Sequence, residues 1–462
     1  MAQHPTQRHN HWGRGAQTRI VFLGLWGVYN AVISFGLILG LPLLLPLVAT
    51  KAKRRHTYRQ RLGLWTYLWE KERGSERKPT IWVHALSVGE VTAALPLVQK
   101  LQARNQDKRL VLTVSTKTGY QTACRLFAGQ GLCLAFFPYD WLWAVRRVTA
   151  KINPAAVILV ETDLWPNFLG FMKLRRVPVY LVNLRLSVRS WALYRRLPVL
   201  RRWIFDTLDG ICVQDGRDVH RLQILGIPPH KLHVTGNIKF DSADPSPAQQ
   251  DPERWRGALK IASGRQVMVA GSTHAGEEAA LFQAIQPLMQ KDRAPVLIVA
   301  PRDPERASQI LGLCRELGLT GTGLSTMTAG AGHTGLDVIV VDSLGVLKSL
   351  YGLADIVFVG GSLVNCGGHN PLEPAAWGKP LLYGPHMQDF AQIAAWLCKA
   401  QGARQVIDAD QLAQDVDGLL TDPGRAEQMG RQARTVFQAH QGAVERTLEC
   451  INLFGEASDF QA

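Results

Sequence analysis

The sequence predicts an α/β protein with two doubly wound parallel-sheet domains, preceded by an apolar membrane-anchor helix. Three observations predict it. Short β-branched runs alternate with helical patterns twice over, once on each side of a stretch from Ser242 to Pro252 rich in Pro, Ser, Ala and Asp. From Ile20 to Thr50 there is no charged residue, a span longer than the roughly 20 residues needed to cross a bilayer. At 462 residues the chain has the length for two such domains with additions.

The amino terminus divides into a polar tail, 1–19, and the anchor, 20–50. Pro42 and Pro46 would kink or end the anchor helix. Lys51, Lys53, Arg54, Arg55, Arg59 and Arg61 follow it, against Arg8, Arg14 and Arg19 before it, so the larger positive cluster places the body on the cytoplasmic side of an inner membrane, as a single-pass protein. A cleaved signal peptide is the alternative; the run is too long for one, and no small-residue cleavage site precedes the basic cluster. The net charge of +15 calls for an anionic partner: nucleic acid, anionic lipid or a phosphorylated substrate. No recognised nucleic-acid motif is present. Seven scattered cysteines without a Cys-x-x-Cys pair suit a reducing compartment and argue against zinc, and no metal-ligand cluster is visible.

The first domain spans 51–241. Thr80 to Ala85 reads as its opening strand, with Ser87-Val88-Gly89-Glu90 leading into a helix over Val91 to Leu101. Further strands are expected at Leu110–Ser115, Leu134–Pro138, Ala156–Val160 and Pro178–Asn183. In parallel sheets ligands bind beyond the carboxyl ends of strands, which is where Glu90, Glu161 and Asn183 fall. Glu90 would sit in a helix's first turn, where the dipole keeps a carboxylate ionised and fit to act as a general base; a plain first-turn glutamate is the simpler reading. Two acids in Glu161-Thr162-Asp163-Leu164-Trp165-Pro166-Asn167, directly after an apolar strand, point to function. Arg185, Arg189, Arg195, Arg196, Arg201 and Arg202, interleaved with Trp191, Leu193, Tyr194, Leu197, Leu200 and Trp203, suit an anionic membrane surface or a phosphorylated lipid, or a solvated helix face.

A linker over 242–255 leads to the second domain, 256–430, and a helical carboxyl-terminal segment, 431–462, with one helical stretch from about Arg425 to Leu453. Strands are expected at Gln266–Ala270, Val296–Ala300, Val338–Val341 and Ile356–Val359. Gly360-Gly361 would let backbone approach a ligand closely. Asn370 can cap the next helix, with Pro371 and Glu373 in its first turn, so that free N–H groups and the positive dipole end receive a phosphate and Glu373 accepts from ribose hydroxyls. The same glycines also suit an ordinary turn. Arg302, just past a strand, could grip a phosphate bidentately or lie in a surface salt bridge.

Taken together, Ser87-Val88-Gly89-Glu90, the 161–167 string, Gly236-Asn237-Ile238-Lys239-Phe240-Asp241, Gly271-Ser272-Thr273-His274, Pro301-Arg302 and Gly367-Gly368-His369-Asn370-Pro371-Leu372-Glu373-Pro374 closely resemble the bacterial 3-deoxy-D-manno-octulosonic acid (Kdo) transferases of lipopolysaccharide synthesis. The resemblance runs in order over roughly residues 50 to 450. It implies a GT-B glycosyltransferase of two Rossmann-like domains facing a cleft, CMP-β-Kdo as donor, a tetraacyl bisphosphorylated lipid A precursor (lipid IVA) as acceptor, inversion of configuration, and no cofactor. It also implies that Glu90 takes the proton from the acceptor's 6'-hydroxyl and that Glu161 and Lys239 stabilise the transition state. Pro301, Arg302, Leu344, Gly345, Val346, Asn370, Pro371, Leu372 and Glu373 would form the CMP site. Asp303 and Val346 depart from the family pattern, which usually has His and Glu there, and Asp163 stands where Glu is usual. A membrane-associated GT-B enzyme with a different nucleotide-sugar donor is the alternative.

Overall fold

The computed structural model describes residues 24, 26–36, 52–64, 79–161, 163–245, 251–289, 294–328 and 334–456. The chain splits into two compact units: Met1–Ser242 with Gly442–Ala462, and Ala243–Gln441.

The first unit is built on seven parallel strands: β1 (Thr80–Ala85), β2 (Arg109–Val114), β3 (Cys133–Phe136), β4 (Pro154–Val160), β5 (Val179–Leu184), β6 (Gly210–Val213) and β7 (Leu232–Val234). Their order is β3-β2-β1-β4-β5-β6-β7. Helices cover both faces, so the strands are buried on both sides and read as apolar runs instead of alternating. Trp82, Phe137 and Phe168 pack on one face; Val83, Leu97 and Val182 pack on the other. Helix Ala443–Glu456 belongs to this second face, burying Ala443, Val444 and Leu448 beside Ile238. The helical stretch expected over 425–453 is therefore two helices, Pro423–Ala439 and Ala443–Glu456. They part where Gly442 takes φ +81° and the Asp241 carboxylate accepts from the N–H groups of Gly442 and Val444 at 2.7 and 2.6 Å.

The second unit repeats the plan with β8 (Val267–Thr273), β9 (Val296–Pro301), β10 (Gly321–Gly323), β11 (Val338–Val340), β12 (Ile356–Val359), β13 (Leu381–Tyr383) and β14 (Ala403–Gln405). The order is β10-β11-β9-β8-β12-β13-β14, again parallel throughout. In each unit the first strand lies centrally, its successor on one side and a later strand on the other, which places a topological switch point at β1/β4 and at β8/β12. Strands β6, β7, β10 and β14 were not expected; they are as short as β11 and β12, but Gly210, His233, Gly321 and Arg404 interrupt the apolar run that reveals those two. The segment read as a linker carries the end of helix Lys239–Ala243 and the start of helix Pro252–Ala258, with 246–250 outside the described residues.

Of the expected anchor, 24 and 26–36 are described and helical; the rest of 20–50, and the tail 1–19, lie outside the described residues. Among the described residues no helix is long and apolar enough to cross a membrane. Instead, one side of 26–36 makes polar contacts with the first unit. Tyr29 donates to Asp140 at 2.9 Å, while Trp26 and Asn30 donate to Asn167 Oδ1 at 2.6 and 2.7 Å. Asp140 also accepts from the N–H groups of Asn167 and Phe168, capping helix Pro166–Leu174, and burial pushes its carboxyl up to about 6 against those hydrogen bonds.

Candidate functional site

In the first unit three acids, a lysine and a histidine gather at the carboxyl ends of β1 and β4. Glu90 lies in the first turn of helix Val88–Arg104, which follows β1, and is only 7% exposed. Its Oε2 accepts from the Leu86 N–H at 2.5 Å. Burial pushes the carboxyl up to about 8, opposed by that hydrogen bond and by Lys239, and reinforced by Glu161 and Asp163. The helix dipole was expected to keep Glu90 ionised; desolvation and two neighbouring carboxylates outweigh a surface-scale dipole effect.

Glu161 follows β4 with φ +65°, a left-handed conformation that costs a non-glycine residue about 1–2 kcal/mol. Its Oε1 accepts from Lys239 Nζ at 2.9 Å and from Asn183 Nδ2 at 3.3 Å. Asn183, also left-handed at φ +60°, accepts from the Ile238 N–H at 3.1 Å and so ties β5 to the turn that presents Lys239. The structure thus brings together Glu90, Glu161, Lys239 and Asn183. It adds one residue that was not singled out, His84, and gives the expected acid Asp163 a partner. His84, fully buried in β1, donates from Nε2 to Asp163 at 2.7 Å, with Nδ1 3.0 Å from both Thr113 oxygens. Burial drives the Asp163 carboxyl up, but hydrogen bonds from His84, Ser115 and Trp165 bring it below the usual carboxylate range. A single histidine inside an apolar strand gives no sequence signal of such a pairing.

The corresponding corner of the second unit is differently used. Helix Glu277–Ile285 follows β8, and Glu277 is fully buried. Its two oxygens accept from the N–H groups of Gly361, Ser362, Leu363 and His274 at 2.7–2.9 Å. The loop expected to offer its backbone to a ligand is thus held by the protein's own carboxylate. The glycine pair serves the same packing: a Cβ at Gly360 would lie 2.4 Å from the Ser272 carbonyl oxygen, so the close approach there is to β8, not to a ligand. A sequence signal for Glu277 exists, since His274-Ala275-Gly276-Glu277 repeats the Gly-Glu of Ser87-Val88-Gly89-Glu90 after the first strand of each half.

The expected nucleotide residues all fall in this unit, near the carboxyl ends of its strands. Pro301 ends β9, and exposed Arg302 follows it, its N–H donating to the Thr273 carbonyl at 2.9 Å. Asn370 Oδ1 accepts from the Leu372 N–H at 3.1 Å. The helix that follows, Leu372–Ala376, has only five residues, so the dipole expected there is reduced to one turn; Pro371, expected in that first turn, takes the cap position in place of Asn370, whose side chain braces the turn before it. Burial raises the Glu373 carboxyl, with Lys348 and the Asn370 side chain opposing. Lys348 itself, in the one-turn helix Leu347–Leu350 that Val346 opens, is lowered by burial against the pull of Glu373. Leu344 is 63% exposed and Gly345 takes φ +92°. Asp303, one of the departures from the family pattern, is exposed and accepts from the Glu305 N–H at 3.1 Å, a capping role that its sequence position did not announce.

A 3-deoxy-D-manno-octulosonic acid transferase from Haemophilus influenzae is 33% identical to this chain over 416 residues, 90% of this chain and 96% of that protein. The chain belongs to the Kdo transferase family. A Bordetella pertussis Kdo transferase is 35% identical over 80% of this chain and 86% of its own length. Residues 56–242 match the family model described as 3-Deoxy-D-manno-octulosonic-acid transferase (kdotransferase). As a Kdo transferase the protein is a glycosyltransferase, and its two parallel-sheet α/β units are consistent with the GT-B fold. A Neisseria meningitidis UDP-GlcNAc 2-epimerase shares the fold at a TM-score of 0.56, with 13% identity over 81% of this chain and all of that one.

Proposed function

We propose that this Kdo transferase moves Kdo from CMP-β-Kdo to the 6'-hydroxyl of lipid IVA, the tetraacyl bisphosphorylated lipid A precursor of lipopolysaccharide synthesis, with inversion at the anomeric carbon and release of CMP. The observation that carries the reading is Glu90: a buried carboxyl pushed up to about 8 beside Glu161, Asp163 and Lys239. Once ionised, Glu90 is a stronger base than a solvated glutamate, matched to a reluctant hydroxyl near neutral pH. It takes the hydroxyl proton as that oxygen bonds to the anomeric carbon and the bond from that carbon to the CMP phosphate oxygen breaks. Lys239, held by Glu161, supplies the positive charge that offsets the developing phosphate anion. The CMP moiety is assigned to Pro301, Arg302, Leu344, Gly345, Val346 and Asn370 to Glu373, with Arg302 on phosphate and Glu373 on the ribose hydroxyls.

The acceptor lies in the inner leaflet of an inner membrane, with both units on its cytoplasmic side and 20–50 as anchor. Supporting this are helices Val188–Arg196 and Pro198–Phe205, where Val188, Leu193, Leu197 and Val199 are exposed among Arg189, Arg195, Arg196 and Arg202. The test is transfer from CMP-Kdo, generated in situ, to lipid IVA in detergent, read as product mass for wild type and Glu90→Gln. Loss of product in the variant, with CMP binding kept, supports the reading. A folded wild type that makes no product, or one competed by UDP instead of CMP, overturns it.

A further inference from the structure

At the β8/β12 switch point three groups able to carry positive charge lie close together, and among the described residues none of them forms an ion pair with an acid. His274 directly follows β8, Arg302 directly follows β9, and His369 lies in the loop after β12. The imidazole planes lie within 6° of each other with centroids 5.1 Å apart, and their Nε2 atoms are 2.8 Å apart, so the rings meet edge to edge and one ring's N–H donates to the other's lone pair. Both rings are fixed by backbone. The His274 N–H donates to Glu277 at 2.9 Å, and the His369 N–H donates to the Gly360 carbonyl at 3.1 Å. Gly361, at φ +68°, leaves their space free: a Cβ there would lie 3.0 Å from His369 Cδ2 and 3.5 Å from His274 Cδ2.

The nearby acids are committed elsewhere. Glu277 serves four backbone N–H groups, and Glu278 pairs with Arg306 at 2.8 Å. Burial above all, with Arg302 and then His274 adding to it, holds the His369 imidazole down to about 4. If the histidine pair served only to pin the loop, an arginine beside it would be unfavourable; an incoming anion turns the same repulsion into binding.

We propose that His274 and His369, together with Arg302, form an oxyanion site for the nucleotide-linked acid sugar, taking either its phosphate or its carboxylate. This rests on the donor assigned above. The accepting ring already carries an unshared N–H at Nδ1; anion binding leaves the shared Nε2–H in place and lets the donating ring take up a proton at its Nδ1, which gives the anionic oxygen a second unshared N–H.

The test measures binding of cytidine, CMP and free Kdo to wild type, His274→Asn and His369→Asn, together with the KM for CMP-Kdo. Cytidine carries no anion, and its affinity should stay unchanged. If the site takes phosphate, CMP affinity falls about tenfold or more in both variants. If it takes carboxylate, CMP affinity is kept, while free Kdo binding is lost and the KM for CMP-Kdo rises by a similar factor. Unchanged CMP and Kdo binding in folded variants overturns the proposal, and so does an equal loss of cytidine and CMP, which would mark a structural role. A wild type that transfers no Kdo sinks the proposed reaction, yet the comparison of CMP with cytidine still tests the anion site.

Discussion

Glu90 and Glu277 occupy the same place in two copies of one plan: the start of the helix that follows the first strand, beside the switch point, each after a glycine. They end in opposite states. Glu277 accepts from four backbone N–H groups of its own unit, which spend both its oxygens on holding a loop. Glu90 is buried, accepts from one N–H and meets two more carboxylates against a single lysine, so its charge is left poorly solvated and its carboxyl is pushed up to about 8. The difference teaches that burial of a carboxylate does not itself mark chemistry. What marks it is how much of its hydrogen-bonding capacity the fold leaves unused.

Four experiments press on that comparison. The largest effect is expected for Glu90→Gln, which removes a general base and should lower the transfer rate by about 10²–10⁴-fold, measured as kcat at saturating donor with CMP affinity unchanged. If rate loss were small, Glu90 would be another structural carboxylate. Glu277→Ala should act on stability first. It leaves buried N–H groups without acceptors and should cost the second unit more than about 4 kcal/mol, read from urea unfolding. An activity loss at unchanged stability would place Glu277 with Glu90.

The pH dependence separates the two further. Because the Glu90 carboxyl is raised in the folded protein, the folded state holds a proton that the unfolded chain has released. Stability contributed by that proton is therefore present below the unfolded pKa of about 4.5 and declines as pH rises to about 8, then levels off. Glu90→Gln should lack this decline, so thermal scans at several pH values should show the variant gaining on wild type up to about pH 8. Over the same window kcat/KM of wild type should increase as Glu90 ionises. A flat profile would argue against both the shift and the base.

The smallest effect concerns backbone strain. Ser272 at φ +59° and Asn183 at φ +60° hold left-handed conformations near the two corners. Ser272→Gly should stabilise by at most about 1 kcal/mol. Asn183→Gly relieves the same strain but loses the hydrogen bonds to Glu161 and Ile238, and should destabilise instead, by about 1 kcal/mol or more. Equal effects would mean that the Asn183 side chain does not organise the Lys239 turn.

The sequence by itself determined the two parallel sheets, because strands buried on both faces appear as unbroken apolar runs such as Val157 to Val160 and Ile356 to Val359. It also determined that acids follow β4 and that a glycine-rich loop follows β12, since residue type and strand end are both local facts. Tertiary structure alone decided the rest. Whether Glu90 is ionised depends on solvent exclusion and on Glu161 and Asp163, which are remote in sequence; the pairing of His84 with Asp163 crosses from β1 to the end of β4. The glycine pair was legible as a close approach, but only the fold shows that β8 is what it approaches. Desolvation and hydrogen-bond satisfaction are properties of an assembled neighbourhood, and no window along the chain contains them.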